Sequence, residues 1–284
     1  MTTIGYLGPK GTFTKLVTDL AFNGEEKISY KTIPQCMDAV EKNEVDIAVV
    51  PIENAIEGTV LLTLDYLVHQ VNLPVEAEVV LPIQQHLLVH PNFEGDISDL
   101  KEVHSHNQAI AQCHQFLHEN MPNATINFAS STGGAAEFVS KLDDKPIAAI
   151  ANKLAAREYG LKILKENIHD YKENHTRFFV LTKNKQLLNL NHEKKGEKTT
   201  LVITLPDDLP GALHQILSAF AWRKMNLSKI ESRPTKTGLG NYFFVIDVVQ
   251  PDNDVLIPNV IQEVEALGCQ VNILGTYPVY QMNP

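Results

Sequence analysis

Strand and helix patterns alternate along the chain up to about residue 184, and this alternation constrains the fold more than any other feature. Short apolar segments such as 47–50 are followed by segments with apolar residues at helical spacing, such as 59–70. A nearly continuous apolar strand is typical of a parallel sheet that is covered on both faces. The pattern therefore predicts βαβ units and an α/β fold.

Two strand-like segments indicate that this α/β region has two lobes. Residues 75–89 predict a long strand interrupted by a proline, and residues 174–181 predict a second strand. We interpret them as the crossings between the lobes, which places Arg177 near a cleft. The predicted units are lobe 1 (about 1–78 and 168–184), lobe 2 (about 79–167), a linker (185–198) and a C-terminal domain (199–284).

The C-terminal domain follows a different order of elements. Its predicted elements are strand 199–205, helix 211–225, strand 227–233, strand 241–249, helix 254–267 and strand 269–279. This βαββαβ order is that of a ferredoxin-like α+β fold.

Charge and cysteine content exclude several classes of protein. The chain has 24 Lys and Arg residues against 34 Asp and Glu residues, so its net charge is −10 and a nucleic-acid or anionic-membrane partner is disfavoured. Its three cysteines form no CxxC pair, which indicates free thiols in a reducing compartment. The first residues show no basic segment followed by an apolar one, so we expect no signal peptide and a cytoplasmic protein.

A polar cluster directly before the strand at 174–181 is the first candidate site. The guanidinium of Arg177 suits a bidentate grip on a carboxylate or phosphate, and Thr176 offers a hydroxyl that can donate and accept. Residues 51–58 follow the apolar strand at 47–50, at the strand end where open α/β sheets bind ligands. The loop at 8–11 leads into a helix start that favours anions, but it matches no nucleotide-binding motif.

Several segments, in their order along the chain, resemble one known family. Residues 8–14, 51–58 and 174–178 resemble signature segments of prephenate dehydratase, as do residues 108–113 and 130–136. The C-terminal domain resembles the regulatory ACT domain of that family. The segments that carry this second resemblance are Gly211, Ala212, Leu213 and His214, and Glu231, Ser232, Arg233 and Pro234.

The resemblance implies a fold and a function. The fold is an α/β two-lobed catalytic domain of the periplasmic-binding-protein type II, followed by the ferredoxin-like ACT domain. The reaction converts prephenate to phenylpyruvate with loss of water and carbon dioxide, and L-phenylalanine inhibits it by feedback. No cofactor or metal is implied, a homodimer or homotetramer is expected, and the absence of an upstream chorismate mutase segment predicts a monofunctional enzyme.

Three residues are predicted to be catalytic. A strong cationic grip on the ring carboxylate would oppose its loss, so we expect Arg177 to anchor the pyruvyl carboxylate instead. The resemblance assigns the key hydroxyl to Thr176, which we expect to orient the leaving hydroxyl group. Glu57 is the candidate proton donor if burial favours its protonated form, and the alternative is a carboxylate in the first turn of a helix.

The remaining site predictions concern substrate and effector binding. Thr12 and Asn54 are candidate substrate ligands, with helix-cap or turn roles as the alternative. The resemblance adds Asn174, Phe178, Ser131 and Thr132 to the substrate site. It also implies that the two ACT segments named above bind the effector across a subunit interface.

Three alternatives stay open at the level of the sequence. Arogenate dehydratase would use the same site on an amino-acid substrate, and a two-lobed sensor would bind an amino acid without catalysis. His114 and His118 lie four residues apart on a predicted helix, with His104 and His106 upstream, which is compatible with zinc. No HExxH motif accompanies them, so exposed helical histidines are the simpler interpretation.

Overall fold

The computed structural model describes residues 2–143, 145–184, 190, 192–206, 210–236, 242–249 and 255–282. Residues 185–189 and 191 of the predicted linker therefore lie outside the described residues. None of the helices in the described part of the chain has the length and apolar character needed to cross a bilayer.

The described strands and helices follow the predicted alternation. The strands are β1 (Thr3–Leu7), β2 (Glu26–Tyr30), β3 (Ile47–Asn54), β4 (Gly58–Thr59), β5 (Val75–Pro82), β6 (His86–Val89), β7 (Glu102–Ser105), β8 (Thr125–Phe128), β9 (Ile147–Ala151), β10 (Lys162–Lys165), β11 (His175–Thr182), β12 (Lys194–Thr204), β13 (Leu227–Pro234), β14 (Tyr242–Val249) and β15 (Gln270–Gln281). The helices are α1 (Phe13–Ala21), α2 (Ile33–Glu41), α3 (Leu61–His69), α4 (Asn107–Ala111), α5 (His114–Asn120), α6 (Thr132–Ser140), α7 (Lys153–Tyr159), α8 (Ala212–Trp222) and α9 (Leu256–Ala266).

Lobe 1 is built on a sheet with the strand order β2-β1-β3-β11-β5. The strands β1, β2 and β3 are parallel, whereas β11 runs antiparallel to both β3 and β5. Residues 47–50 of β3 are all buried, as expected for a strand inside a sheet with both faces covered. Strand β11 follows the last elements of the other lobe along the chain and lies between β3 and β5 in the middle of this sheet.

Lobe 2 has its own sheet, with the order β10-β6-β9-β7-β8. The crossing into this lobe comes later than predicted, because β5 remains in the sheet of lobe 1 as far as Pro82. The return also comes later, because Ile168 is buried in a core cluster of lobe 2. Strands β7 and β10 were not predicted from the sequence.

The C-terminal domain has the sheet order β13-β14-β12-β15, which is the ferredoxin-like arrangement. Helices α8 and α9 cover one face of this sheet. The other face packs on lobe 1, where Phe243 and Tyr277 share a core cluster with Phe179. In addition, β15 pairs in parallel with β5, so the described strands of lobe 1 and of this domain form one continuous sheet.

The predicted linker ends earlier than expected. Residues 194–198 belong to β12 and pair with the end of β15. Their polar composition resembles that of a linker because side chains such as Lys194 and Glu197 lie on the exposed part of this long antiparallel strand pair. Composition alone therefore assigned to the linker a segment that backbone pairing places in the sheet.

The buried imidazole of His86, near the crossing between the lobes, predicts a loss of stability in mild acid. Its Nδ1 accepts a hydrogen bond from the backbone N–H of Asn167 (3.0 Å), and burial, together with the charge of Lys153, lowers the pKa of His86 to about 4. The unfolded chain binds this proton with a pKa of about 6.5, so acid favours unfolding. Between pH 7.5 and pH 5 this group alone lowers the free energy of unfolding by about 2 kcal/mol.

Denaturant unfolding at the two pH values checks this expectation, with His86→Gln as the comparison because glutamine keeps an acceptor and does not titrate. The variant should lose a large part of the pH dependence. In this variant the free energy of unfolding should still fall somewhat in acid because of His169, whose pKa burial lowers as well. An identical pH dependence in both proteins would contradict the assignment to His86.

Candidate functional site

A cavity of about 460 Å³ lies in the cleft between the two lobes. Lobe 1 contributes the end of β1, the start of α1, the end of β3 and the segment 57–60 that follows it. Lobe 2 contributes residues around the starts of α4 and α6, and Thr176 at the beginning of β11 lies on the wall as well. The cavity is therefore lined by strand ends and helix starts of both lobes, where ligands of α/β folds bind.

Thr176 and Asn54 form a hydrogen-bonded pair in this cavity. The side-chain oxygen of Asn54 accepts from the backbone N–H groups of Ile56 (3.0 Å) and Glu57 (3.1 Å), so its amino group must point the other way. That amino group donates to the hydroxyl oxygen of Thr176 at 2.8 Å. The hydroxyl of Thr176 accepts from Asn54, which leaves its own proton for an acceptor in the cavity.

Two helix starts face each other across the cleft. Thr12 caps α1 by accepting from the backbone N–H of Lys15 (3.2 Å), and Ser131 caps α6 by accepting from the backbone N–H of Gly134 (2.9 Å). Both caps line the cavity, together with Thr132. Free backbone N–H groups at such helix starts carry partial positive charge, so this part of the cavity favours anions.

The two lobes touch beside these helix starts. A Cβ atom placed on Gly133 of α6 would lie 2.4 Å from the backbone oxygen of Lys10, which belongs to the loop before α1. The hydroxyl of Tyr159 donates to the same oxygen at 3.0 Å. Only glycine permits this approach, so Gly133 sets how closely the lobes meet.

Glu57 lies on the cavity wall, but it is exposed. The burial on which its predicted role as a proton donor depends is therefore absent here, and that role stays a prediction. The alternative is wrong, because α3 begins four residues later at Leu61 and has no acidic residue in its first turn. Burial lowers the pKa of His106 on the other lobe, and the negative charge of Glu57 opposes that shift. The two side chains therefore interact electrostatically across the cleft.

Arg177 does not reach the cavity, and its predicted role as a substrate anchor is corrected by its contacts. Successive residues of a strand point to opposite faces, and Thr176 takes the face toward the cavity. The guanidinium of Arg177 instead binds Glu53, Glu78 and Asp247 on the face toward the C-terminal domain. Burial would lower the pKa of Arg177, but the carboxylates of Glu78 and Asp247 outweigh burial and raise it.

Two further predicted substrate ligands lie outside the wall of the cavity. Phe178 is buried in the core of lobe 1, where it packs with residues of α1 and β3. Asn174 is buried at the crossing between the lobes, where its backbone oxygen accepts from the N–H of Ile83. Both residues therefore support the strand that carries Thr176, and neither lines the cavity.

Several polar residues of the wall were missed as ligands by the sequence analysis. Gln85 and Gln112 are buried, and the side-chain oxygen of each lacks a hydrogen-bond partner in the described part of the chain. Gln108 and Lys31 also line the cavity. The resemblance of residues 108–113 to a family segment was the available signal for Gln108 and Gln112, whereas Gln85 and Lys31 lie in no recognised segment.

The predicted effector segments lie at one end of the C-terminal sheet. Strands β12 and β13 are both antiparallel to β14, so their ends point the same way. Gly211 begins α8 with a φ of 86°, which glycine adopts without strain. Alternate residues of β13 face lobe 1, so Glu231 and Arg233 bind Thr59 and Asp65 there, while Ser232 and Pro234 are exposed.

Two of the histidines considered for zinc lie on the surface, whereas His104 and His106 are partly buried. His114 and His118 are exposed, with their ring centroids 6.3 Å apart. Within the described ranges, no group of three or more His, Cys, Asp or Glu side chains is placed to hold a metal ion.

Comparisons with known proteins agree on one family. The family model described as prephenate dehydratase matches residues 4–186, and the model described as ACT domain matches residues 199–266. The prephenate dehydratase of Bacillus subtilis (strain 168) is 53% identical over 283 residues, which cover 98% of this chain and 99% of that protein.

Two solved structures have the same architecture throughout. The prephenate dehydratase of Arthrobacter aurescens, determined in complex with L-Phe, has a TM-score of 0.85 at 36% identity and covers 97% of this chain and 90% of that chain. The prephenate dehydratase of Staphylococcus aureus subsp. aureus Mu50 has a TM-score of 0.82 at 32% identity and covers 98% of this chain and 100% of that chain.

Proposed function

The chain belongs to the prephenate dehydratase family and is a carbon–oxygen lyase with an ACT domain, and we propose that it converts prephenate to phenylpyruvate in the cavity between its lobes. The observation that carries this proposal is the hydroxyl of Thr176 on the cavity wall, which accepts a hydrogen bond from Asn54 and so keeps its own proton available to donate. The substrate's ring hydroxyl is the group that such a donor serves.

The proposed reaction breaks two bonds of the substrate ring. The bond between the ring carboxylate and the ring breaks, and its electron pair enters the ring as the carboxylate leaves as carbon dioxide. The bond between the ring and its hydroxyl breaks at the opposite side, and the hydroxyl takes one proton from solvent in the cavity and leaves as water. Thr176 donates a hydrogen bond to this departing oxygen, where negative charge develops in the transition state.

The anionic substrate requires positive groups in a chain whose net charge is −10. We assign this role to the backbone N–H groups at the starts of α1 and α6, with Lys31 at the edge of the cavity. These groups replace Arg177 as the anchor of the pyruvyl carboxylate. A wall without a buried guanidinium also suits the chemistry, because a tight ion pair with the ring carboxylate would oppose its loss.

Regulation by L-phenylalanine is proposed for the ACT domain. The relative from Arthrobacter aurescens was determined in complex with L-Phe, and the two ACT segments of this chain lie at the same end of the sheet. Backbone groups near Gly211 and the exposed side of β13 at Ser232 are the proposed contacts. We further propose a cytoplasmic homodimer or homotetramer in which the effector binds where two ACT domains meet.

The test is phenylpyruvate formation from prephenate by the purified protein, with and without L-phenylalanine. We expect turnover, and we expect L-phenylalanine to suppress it. Turnover of arogenate in preference to prephenate would favour the sister reaction, for which Glu57 would be the carboxylate that meets the substrate's ammonium group. An absence of turnover with both substrates would overturn the catalytic assignment and leave an amino-acid sensor.

A further inference from the structure

A cluster of charged side chains is enclosed between lobe 1 and the ACT domain, directly behind Thr176 and Asn54, which we call the catalytic pair. Its centre is Arg177, which donates to Glu78 at 2.6 Å and to Asp247 at 2.5 Å, and which also binds Glu53. Lys198 binds Glu78 at 2.9 Å, and Lys229 lies 3.2 Å from Glu53. Glu78 and Asp247 are almost fully buried.

The two domains contribute complementary charges to this cluster. Lobe 1 supplies Glu53, Glu78 and Arg177, which sum to −1, whereas the ACT domain supplies Asp247, Lys198 and Lys229, which sum to +1. These six charges therefore sum to zero across the docked domains, and Lys229 additionally lies 3.9 Å from Glu231 of its own domain. Because an unpaired buried charge is costly, the cluster favours this one docked arrangement over others.

The cluster and the catalytic pair occupy opposite faces of the same two strands. Glu53 precedes Asn54 on β3, and Arg177 follows Thr176 on β11. The alternation of strand side chains sends Glu53 and Arg177 toward the ACT domain and sends Asn54 and Thr176 toward the cavity. A change in how Arg177 is held therefore acts on the backbone that positions Thr176.

A second set of contacts joins the ACT domain to the wall of the cavity. Glu231 accepts a hydrogen bond from Thr59 at 3.1 Å, and Lys229 donates to the same hydroxyl. Thr59 lines the cavity. Farther along β13, Arg233 binds Asp65 on α3 through two nitrogens, which fixes the relative position of the strand and the helix. Strand β13, which contains one proposed effector segment, thus binds lobe 1 beside the proposed active site.

We infer that Arg177 is a positioning residue that couples the ACT domain to Thr176 through the buried ion pair with Asp247. This inference rests on the proposed function and adds the route by which effector binding reaches the site. Binding of L-phenylalanine at the ends of β12 and β13 shifts the ACT sheet relative to lobe 1. The shift changes the geometry of the ion pair between Asp247 and Arg177, and the end of β11 that carries Thr176 moves as a result.

The experiment compares Asp247→Asn with Glu263→Gln. Asparagine keeps the size of Asp247 and removes its charge, while the control breaks an ion pair with Arg223 that lies wholly within the ACT domain. Calorimetric titration of L-phenylalanine and inhibition of prephenate turnover are measured on each protein. In Asp247→Asn we expect the dissociation constant to change by less than about threefold, while saturating L-phenylalanine removes less than half of the activity.

The control should bind L-phenylalanine and be inhibited as the unchanged protein is. Full inhibition of Asp247→Asn by saturating L-phenylalanine would overturn the inference. If Asp247→Asn lost both the binding of L-phenylalanine and the inhibition by it, the inference would also be overturned, because Asp247 would then serve the effector site itself. If Asp247→Asn does not fold, Thr200→Val replaces it. This change keeps the charge of Asp247 and removes two hydrogen bonds of the Thr200 hydroxyl, the one of 2.7 Å to Asp247 and the one of 2.6 Å that joins it to the hydroxyl of Tyr277.

A ligand-free measurement separates this inference from the proposed function. The N–H of Ala55 donates to the backbone oxygen of His175 at 2.8 Å, so its hydrogen exchange reports how firmly β3 and β11 are joined beside the catalytic pair. We expect exchange at Ala55 at least about fivefold faster in Asp247→Asn than in Glu263→Gln. Equal exchange overturns the coupling, whereas failure of turnover or of inhibition in the unchanged protein contradicts only the proposed function.

Discussion

Replacement of Thr176 by alanine is expected to lower kcat for phenylpyruvate formation by about 100- to 1,000-fold, which is the usual effect of removing one donor to a developing negative charge. The change in KM should be small, because the anchoring groups at the starts of α1 and α6 are left in place. The amino group of Asn54, which now donates to Thr176 at 2.8 Å, would face the cavity and be solvated there. We therefore expect little loss of folded protein.

Two companion variants test whether the hydroxyl itself is responsible. Thr176→Ser keeps the hydroxyl and should recover most of the activity. Glu57→Gln changes an exposed residue of the same wall and should lower kcat by less than about tenfold. A Thr176→Ala enzyme within tenfold of the unchanged protein would contradict the role of Thr176, and a large loss in Glu57→Gln would return Glu57 to the reaction as a proton donor.

Replacement of Gly133 by alanine is expected to lower kcat/KM by at least about 30-fold through the contact between the lobes. The new methyl group would lie 2.4 Å from the backbone oxygen of Lys10, and a backbone atom cannot move aside as a flexible side chain can. The lobes would have to separate, which carries the start of α6 and Thr132 away from Thr176. An open cleft also admits water to the site.

Gly134→Ala is the matched control, because it lies next to Gly133 in α6 and gains the same helix propensity of about 1 kcal/mol. Its added methyl group would meet the side chain of Ser131 at 3.1 Å and no backbone atom of lobe 1. We expect its kcat/KM to remain within a few-fold of the unchanged protein. Equal activity of the two variants, both folded, would show that closure at Gly133 is not required.

The sequence was sufficient to predict most strands and helices and the order of the domains. Patterns with a period of two and of about 3.6 residues arise from local geometry, so they can be recognised without tertiary information. Strands β7 and β10 were missed because each is only four residues long and contains at most two apolar residues, so neither shows a clear apolar run. The segment 194–198 was misplaced because composition does not report which backbone it pairs with.

The sequence also assigned Thr176, Asn54 and Thr12 to one site from their places near strand ends and helix starts, and the family resemblance added Ser131 and Thr132. The structure placed these five residues on the wall of a single cavity. It also decided which of their polar groups are engaged in caps and turns. The cap of Thr12 and the turn around Asn54 are local interactions, which is why the sequence could suggest them in advance.

The tertiary structure alone decided the role of Arg177. Alternation along β11 already sends Arg177 and Thr176 to opposite faces, but the sequence does not state what covers the second face. That cover is Asp247, which lies 70 residues later in another domain and meets Arg177 only through the docking of two sheets. Local patterns are fixed by the sequence, whereas pairings between distant charges depend on how complete domains pack, and here this packing gives Arg177 a carboxylate of another domain as its partner.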